Sequence, residues 1–335
     1  MKCLLVEKAE SGEVHREITS VSPEELPPGD VTIRVEYSSL NYKDALAAQG
    51  HPGVVSKFPH VPGIDAAGIV EQSTDARFQS GQQVLVTGYE LGSGRWGGWS
   101  EQIRVPADWV VPLPSGLTAL DAMTLGTAGF TAAQCVDSLQ RHHVTADRGD
   151  VVVTGATGGV GSLSVIILSQ LGYHVTAVSG KSDTQSWLAE LGACNVIARD
   201  AVNDASDRPM LKSRWAGAVD TVGGQTLATL VRSLDHRGCV AACGLVGGTD
   251  LPLTGYPFLL RGVTLDGIDS AQCPYASRIE IRRHLAGDWK PAQLESLRTV
   301  VALEDIEASI QSILKGGITG RVVVQVASDA ATGTP

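Results

Sequence analysis

The sequence predicts a chain in two parts: a β-rich domain that is interrupted by, and then returned to after, a doubly wound parallel α/β sheet. Three observations predict it. Residues 151–161, VVVTGATGGVG, read strand, glycine turn, helix, the context in which a dinucleotide-binding loop forms. From there, short β-branched runs alternate with helical stretches, the signature of parallel strands joined by crossover helices. Almost 150 residues precede that loop and read mainly as strands and turns.

Bulk properties agree. The 335 residues exceed what one compact core usually accommodates. With 43% hydrophobic and 19% charged residues, the composition is that of a globular protein. A formal charge of −10 argues against a general nucleic-acid binder, which needs a positive surface. The opening residues MKCLLVEKAESGEVHRE read as neither signal peptide nor membrane span. No uninterrupted apolar run reaches the roughly 20 residues a spanning helix needs. The six cysteines form no CxxC and no disulfide framework, so they read as small buried hydrophobes of a cytoplasmic protein.

In chain order, residues 3–7 and 31–37 are expected strands, with the turn Pro27-Pro28-Gly29-Asp30 before the second. Residues 39–48 hold a short helix with Asn41 as its cap. Residues 60–72 pass from loop into strand, 81–86 are turn and strand, 88–99 a loop rich in glycine and tryptophan, and 100–111 a strand again. Residues 120–136 are helical, interrupted at Gly126 and Gly129. The α/β pattern then places strands at 151–154, 173–178, 194–198, 216–221, 238–243 and 263–268, with helices at 183–191 and 225–234. Asp183 is the expected cap of the first, and Gly192 its C-terminal glycine. Helices at 277–285 and 303–314 precede a last strand, 320–326, which rejoins the first domain. The expected division is therefore 1–124, 125–268 and 269–327, with a frayed tail at 328–335.

Seven stretches in this order carry a resemblance: SSLNYKDALA (38–47), PGIDAAG (62–68), WGGWSEQ (96–102), GTAGFTA (126–132), VTGATGGVG (153–161), AVDTVGG (218–224) and CVAACGLVGG (239–248). Together they make the chain similar to the medium-chain dehydrogenase/reductase superfamily, in its zinc-free, quinone oxidoreductase-like branch, and within it to acrylyl-CoA reductases. The resemblance covers nearly the whole length. It implies a discontinuous GroES-like domain with an inserted Rossmann domain, a homodimer, and NADPH as cofactor. Where the zinc-dependent branch has a cysteine, this chain has Asn41; where that branch has a histidine, it has Ile64 before Asp65. Catalytic zinc needs about three N, S or O ligands, so no metal is expected.

The nucleotide is read at residues 179–181. An NAD site usually has an acid after the second strand to bind the ribose 2′-OH; here stand Ser179, Gly180 and Lys181, which suit a 2′-phosphate. The resemblance adds Arg199 at the adenosine end. It implies that Gly155, Thr157, Gly158, Gly159 and Val160 hold the pyrophosphate, that Thr127 and Thr131 meet phosphates or ribose, and that Leu245 and Ser270 close over the nicotinamide side beside Tyr42. The reaction it implies is NADPH-dependent reduction of an activated carbon–carbon double bond, acrylyl-CoA or a short enoyl-CoA to the saturated thioester. Asn41 and Tyr42 are the candidate donors to the developing enolate, and Arg95, Arg261, Arg282 and Arg283 candidates for CoA phosphates. A quinone or enone reductase, and a NADPH-binding protein with little catalysis, are the alternatives. The expected partner is a small molecule, with neither nucleic acid nor membrane.

Overall fold

The computed structural model describes residues 1–327; the expected tail, 328–335, lies outside them. The chain divides into two compact units. Unit 1 comprises residues 1–127, 271–286 and the chain from 294 onward; unit 2 comprises 128–270 and 287–293.

In chain order, unit 1 begins with β1 (Lys2–Lys8), β2 (Val14–Ser20), β3 (Val31–Leu40), α1 (Tyr42–Ala48), β4 (Asp65–Ser73), β5 (Gln83–Thr87), β6 (Gln102–Val105) and β7 (Val111–Pro112). Helix α2 (Ala119–Arg141) crosses the boundary. Unit 2 continues with β8 (Val151–Val153), α3 (Gly159–Gln170), β9 (Val175–Val178), α4 (Gln185–Glu190), β10 (Asn195–Ile197), β11 (Trp215–Asp220), α5 (Gly224–Ser233), β12 (Leu234–Ala242), α6 (Tyr256–Arg261) and β13 (Thr264–Gly267). The chain returns to unit 1 with α7 (Tyr275–Ala286), β14 (Arg298–Ala302), α8 (Ile306–Leu314) and β15 (Arg321–Gln325).

Unit 2 holds a six-stranded sheet in the order β10-β9-β8-β11-β12-β13, every pairing parallel. This is the doubly wound order, which reverses direction between β8 and β11. β8 and β9 are buried along their whole length, which is why β8 reads as an unbroken apolar run rather than an alternating one. Unit 1 pairs β1 with β2 and holds a seven-stranded sheet, β14-β15-β3-β4-β5-β7, with β6 also on β3. β15 pairs antiparallel with β3, Val322 opposite Leu40, so the last strand does return to the first sheet. Its core gathers Val31, Ile33, Val35, Val84, Val86, Ile306, Ile310, Val322 and Val324.

Some expectations need correction. Gly129 is helical; α2 departs from helical geometry only at Gly126 (φ 51°, ψ −150°). Asp183 lies in a 3-10 turn and α4 is capped at Thr184, without a side-chain cap bond. β2, β14 and α6 were not expected. β2 carries His15, Arg16 and Glu17 among its apolar residues, and β14 is half exposed, so neither shows a strong apolar run. α6 exposes Leu259 and Leu260, so its apolar residues follow no buried helical stripe.

Candidate active site

The loop after β8 is built from backbone. Gly155 turns with φ +59°, and a Cβ there would overlap Thr221 Oγ1. A Cβ on Gly161 would overlap the carbonyl oxygen of Gly155, so the first turn of α3 packs directly on the loop. Gly158 caps α3 without any side-chain cap bond. The first N–H groups of the helix and the positive end of its dipole are therefore offered to an anion rather than met by a side chain. These residues fit a dinucleotide pyrophosphate, with Thr157 buried and Gly159 and Val160 in the opening turn.

At the end of β9, Ser179 Oγ accepts the N–H of Lys181 at 3.0 Å and pairs with Thr184 Oγ1 at 3.1 Å, which fixes a tight turn around Gly180. Arg199 crosses over that turn: a Cβ on Gly180 would lie 2.6 Å from its Nε. Burial, and then Arg199, pull the Lys181 pKa down, against Asp183. Two cations thus converge where an NAD site would hold a carboxylate, a fit for a 2′-phosphate.

Other predicted residues behave differently. The Thr131 hydroxyl donates to Ser270 Oγ at 2.8 Å. Thr127 gives its N–H and hydroxyl to Asp65 at 2.9 and 2.6 Å. Leu245 is 62% exposed and Tyr42 45%. Of the arginines considered for CoA, Arg261 donates to the carbonyls of Leu211, Arg232 and Leu234. Arg282 is fully buried against Thr87. Arg95 donates to the Pro28 carbonyl and lies over the Trp109 ring. Arg283 alone of the four sits mainly at the surface, paired with Glu280 at 2.7 Å. Packing thus engages three of the four, as their spacing in sequence did not indicate.

In unit 1, a polar cluster forms at the start of α1. Asn41 Nδ2 faces Asp44 Oδ2 at 3.0 Å and Asp65 Oδ2 at 2.9 Å, and Asn41 Oδ1 accepts from Arg321 at 3.2 Å. Asp44 also accepts the N–H groups of Asn41 at 2.8 Å and Ile64 at 2.7 Å. It is fully buried, and burial first, then Asp65, pushes its carboxyl up to about 7. Arg321 donates to the carbonyls of Thr124 and Leu40; burial lowers its pKa while Asp65 and Asp44 hold it up. Gly126 makes the room, since a Cβ there would lie 2.6 Å from Asp65 Oδ2 and 3.0 Å from Arg321 Nη2. The sequence reading missed Arg321. Its one signal was a cation opening an otherwise apolar strand.

Residues 27–115 match the family model of the alcohol dehydrogenase GroES-like domain, and residues 159–281 that of the zinc-binding dehydrogenase. The chain is 47% identical to the acrylyl-CoA reductase AcuI of Ruegeria pomeroyi over 96% of its own length and 98% of the relative's. It is 45% identical to the putative quinone oxidoreductase YhfP of Bacillus subtilis, over 92% and 94%. The YhdH oxidoreductase of Salmonella enterica, solved in complex with NADP, superposes with a TM-score of 0.95 at 44% identity, covering 98% of this chain and all of that one. YhfP, solved with NAD bound, gives 0.94 at 44%, covering 97% and 99%.

The second family model implies a zinc ion, and the residues here do not fit one. Asn41 directs its amide hydrogens at two carboxylates, and Ile64 offers only alkyl carbon. The two oxygens of Asp65 already accept four hydrogen bonds, from Ser39, Asn41 and twice from Thr127. Among the described residues, no three His, Cys, Asp or Glu side chains gather to hold a metal. With both halves of the chain matched and nearly its full length aligned to close relatives, the protein belongs to the medium-chain dehydrogenase/reductase family.

Proposed function

We propose that this protein uses NADPH to reduce the carbon–carbon double bond of acrylyl-CoA, or a similar short enoyl-CoA, to the saturated thioester. The substrate assignment is carried by 47% identity to an acrylyl-CoA reductase across 96% of the chain. The cofactor assignment is carried by Lys181 and Arg199, converging on the Gly180 turn. The NADP-bound relative at 44% identity supports it.

When bound, the nicotinamide supplies a hydride. Addition at the β-carbon of the enoyl thioester moves charge onto the carbonyl oxygen, and the α-carbon then takes a proton. The chain has to donate a hydrogen bond to that oxygen as charge develops. Tyr42, half exposed in the first turn of α1, is assigned as this donor and as a neighbour of the nicotinamide. Asn41 has its amide hydrogens facing Asp44 and Asp65; its assigned part is to hold the start of α1, and with it Tyr42, in one orientation. Gly155 to Val160 take the pyrophosphate. Ser179, Gly180, Lys181 and Arg199 take the 2′-phosphate, and Thr127, Thr131, Leu245 and Ser270 border the ribose and nicotinamide.

A second reading, quinone or enone reduction with the same cofactor, is favoured by the 45% identity to YhfP. Stopped-flow oxidation of NADPH with acrylyl-CoA, crotonyl-CoA and a quinone panel separates the two. Fast turnover of the thioesters is expected. Quinone turnover far above thioester turnover would replace the first reading with the second. We further assign the protein to the cytoplasm and to a homodimer paired through β13, the terminal strand of its sheet. Exposed Tyr256, Leu259 and Leu260, in the helix just before that strand, support this pairing. Sedimentation equilibrium giving a monomer would remove it.

A further inference from the structure

Asp220 ends β11, beside β8, and is fully buried. A buried carboxylate is costly unless its lone pairs are met. The Thr154 hydroxyl donates to Oδ1 at 2.7 Å and the Gly223 N–H to Oδ2 at 2.7 Å. Thr154 Oγ1 in turn accepts the Thr221 N–H at 3.0 Å, and the Thr221 hydroxyl donates back to the Thr154 carbonyl at 2.9 Å. Three side chains thereby close a ring between the end of β8 and the end of β11, the two strands that flank the reversal of strand order. In open α/β sheets, that reversal is where a ligand crevice opens.

The ring reaches into the nucleotide loop. Gly155 follows Thr154, and its positive-φ turn fits closely against the Thr221 hydroxyl. On the far side, the N–H held by Asp220 belongs to Gly223, which caps α5. A Cβ on Gly223 would lie 2.7 Å from the Gly244 carbonyl oxygen, and one on Gly224 2.7 Å from that of Gly247. The loops after β8, β11 and β12 are therefore registered on one another, and Asp220 is the only ionisable side chain in the ring that links the first two.

We propose that Asp220 is a positioning residue for the dinucleotide: acting through Thr154 and Thr221, its carboxylate sets the backbone of the loop 155–161 that receives the pyrophosphate. The inference rests on the dinucleotide reading above. Pyrophosphate is common to NADPH and NADH, so Asp220 acts on both equally, unlike Lys181 and Arg199.

The test is the dissociation constant of each nucleotide, from quenching of protein fluorescence, for the wild-type protein and for Asp220→Asn. The variant should bind NADPH and NADH more weakly by one shared factor, about tenfold, the scale on which a hydrogen-bonded supporting residue tunes its site. At saturating NADPH, kcat should change far less than affinity, the pattern of lost ground-state binding. Where Asp220→Asn does not fold, Thr154→Val removes only the bridging hydroxyl; the same shared weakening is expected, with Thr154→Ser restoring affinity. Unchanged affinities, a loss confined to NADPH, or a fall in kcat without weaker binding overturns the proposal. A wild-type protein that binds neither nucleotide ends the dinucleotide reading and this inference with it.

Discussion

The nucleotide loop of unit 2 and the polar cluster of unit 1 solve opposite problems. The loop presents N–H groups and removes side chains: Gly155, Gly158 and Gly161 fall within seven consecutive residues, and α3 begins without a side-chain cap. The cluster presents side chains and removes water. Its hydrogen bonds join residues as close as Asn41 and Asp44 and as far apart as Asn41 and Arg321, 280 positions on. A backbone site is specified locally, by what each glycine omits. A buried charge cluster is specified globally, because every carboxylate depends on a cation or an N–H delivered by another part of the chain.

That contrast is open to attack, first at Arg321. Replacing it by Met removes its donations to Asn41 Oδ1 and to the carbonyls of Thr124 and Leu40, a loss of about 1.5–3 kcal/mol per hydrogen bond from a charged donor. Urea unfolding should show that loss. A destabilisation near zero would mean that the cluster does not depend on its distant partner.

The loop end should respond more selectively. Lys181→Ala should raise the Michaelis constant for NADPH by about 10- to 100-fold, the worth of a charge-assisted hydrogen bond to phosphate, and leave that for NADH nearly unchanged. Equal effects on both nucleotides would remove the 2′-phosphate assignment.

The cluster can also be tested through pH. Asp44 is pushed up to about 7 in the fold from an ordinary value of 3.8. Between those values the folded state keeps a proton that the unfolded chain releases, so this group's contribution to stability is present at low pH and is lost as pH rises from about 4 to about 7. Asp44→Asn should flatten the fall in unfolding free energy over that window, followed by urea titrations at pH 5 and pH 7.5. An unaltered slope would assign the titration to another group.

The fold was legible wherever local pattern and burial agree. The runs at β8 and β9 are buried on both faces and could be read as parallel strands; the glycines after β8 could be read as a turn into a helix. Asn41 could be read as the cap of α1 because a cap is a local device. Arg321, Asp220 and the buried Arg278 and Arg282 could not be read. A charged residue in sequence carries no mark of whether water or a distant carbonyl will meet it. Arg282 was read as a candidate for CoA phosphates, yet burial, and then Arg278 beside it, lowers its pKa to about 9. Gly126 was visible as an interruption of α2, though not as the gap that lets Asp65 and Arg321 approach.

The place of Arg321 in the chain also bears on the order in which the protein is made. Unit 2 is almost contiguous, 128–270 with one short return, so its sheet is complete once β13 leaves the ribosome. Unit 1 is not. Asn41, Asp44 and Asp65 emerge early and wait for β15, whose first residue is Arg321. At about 5–20 residues per second, the cluster remains without Arg321 for tens of seconds during synthesis. The first domain to be translated is thus the last to be finished.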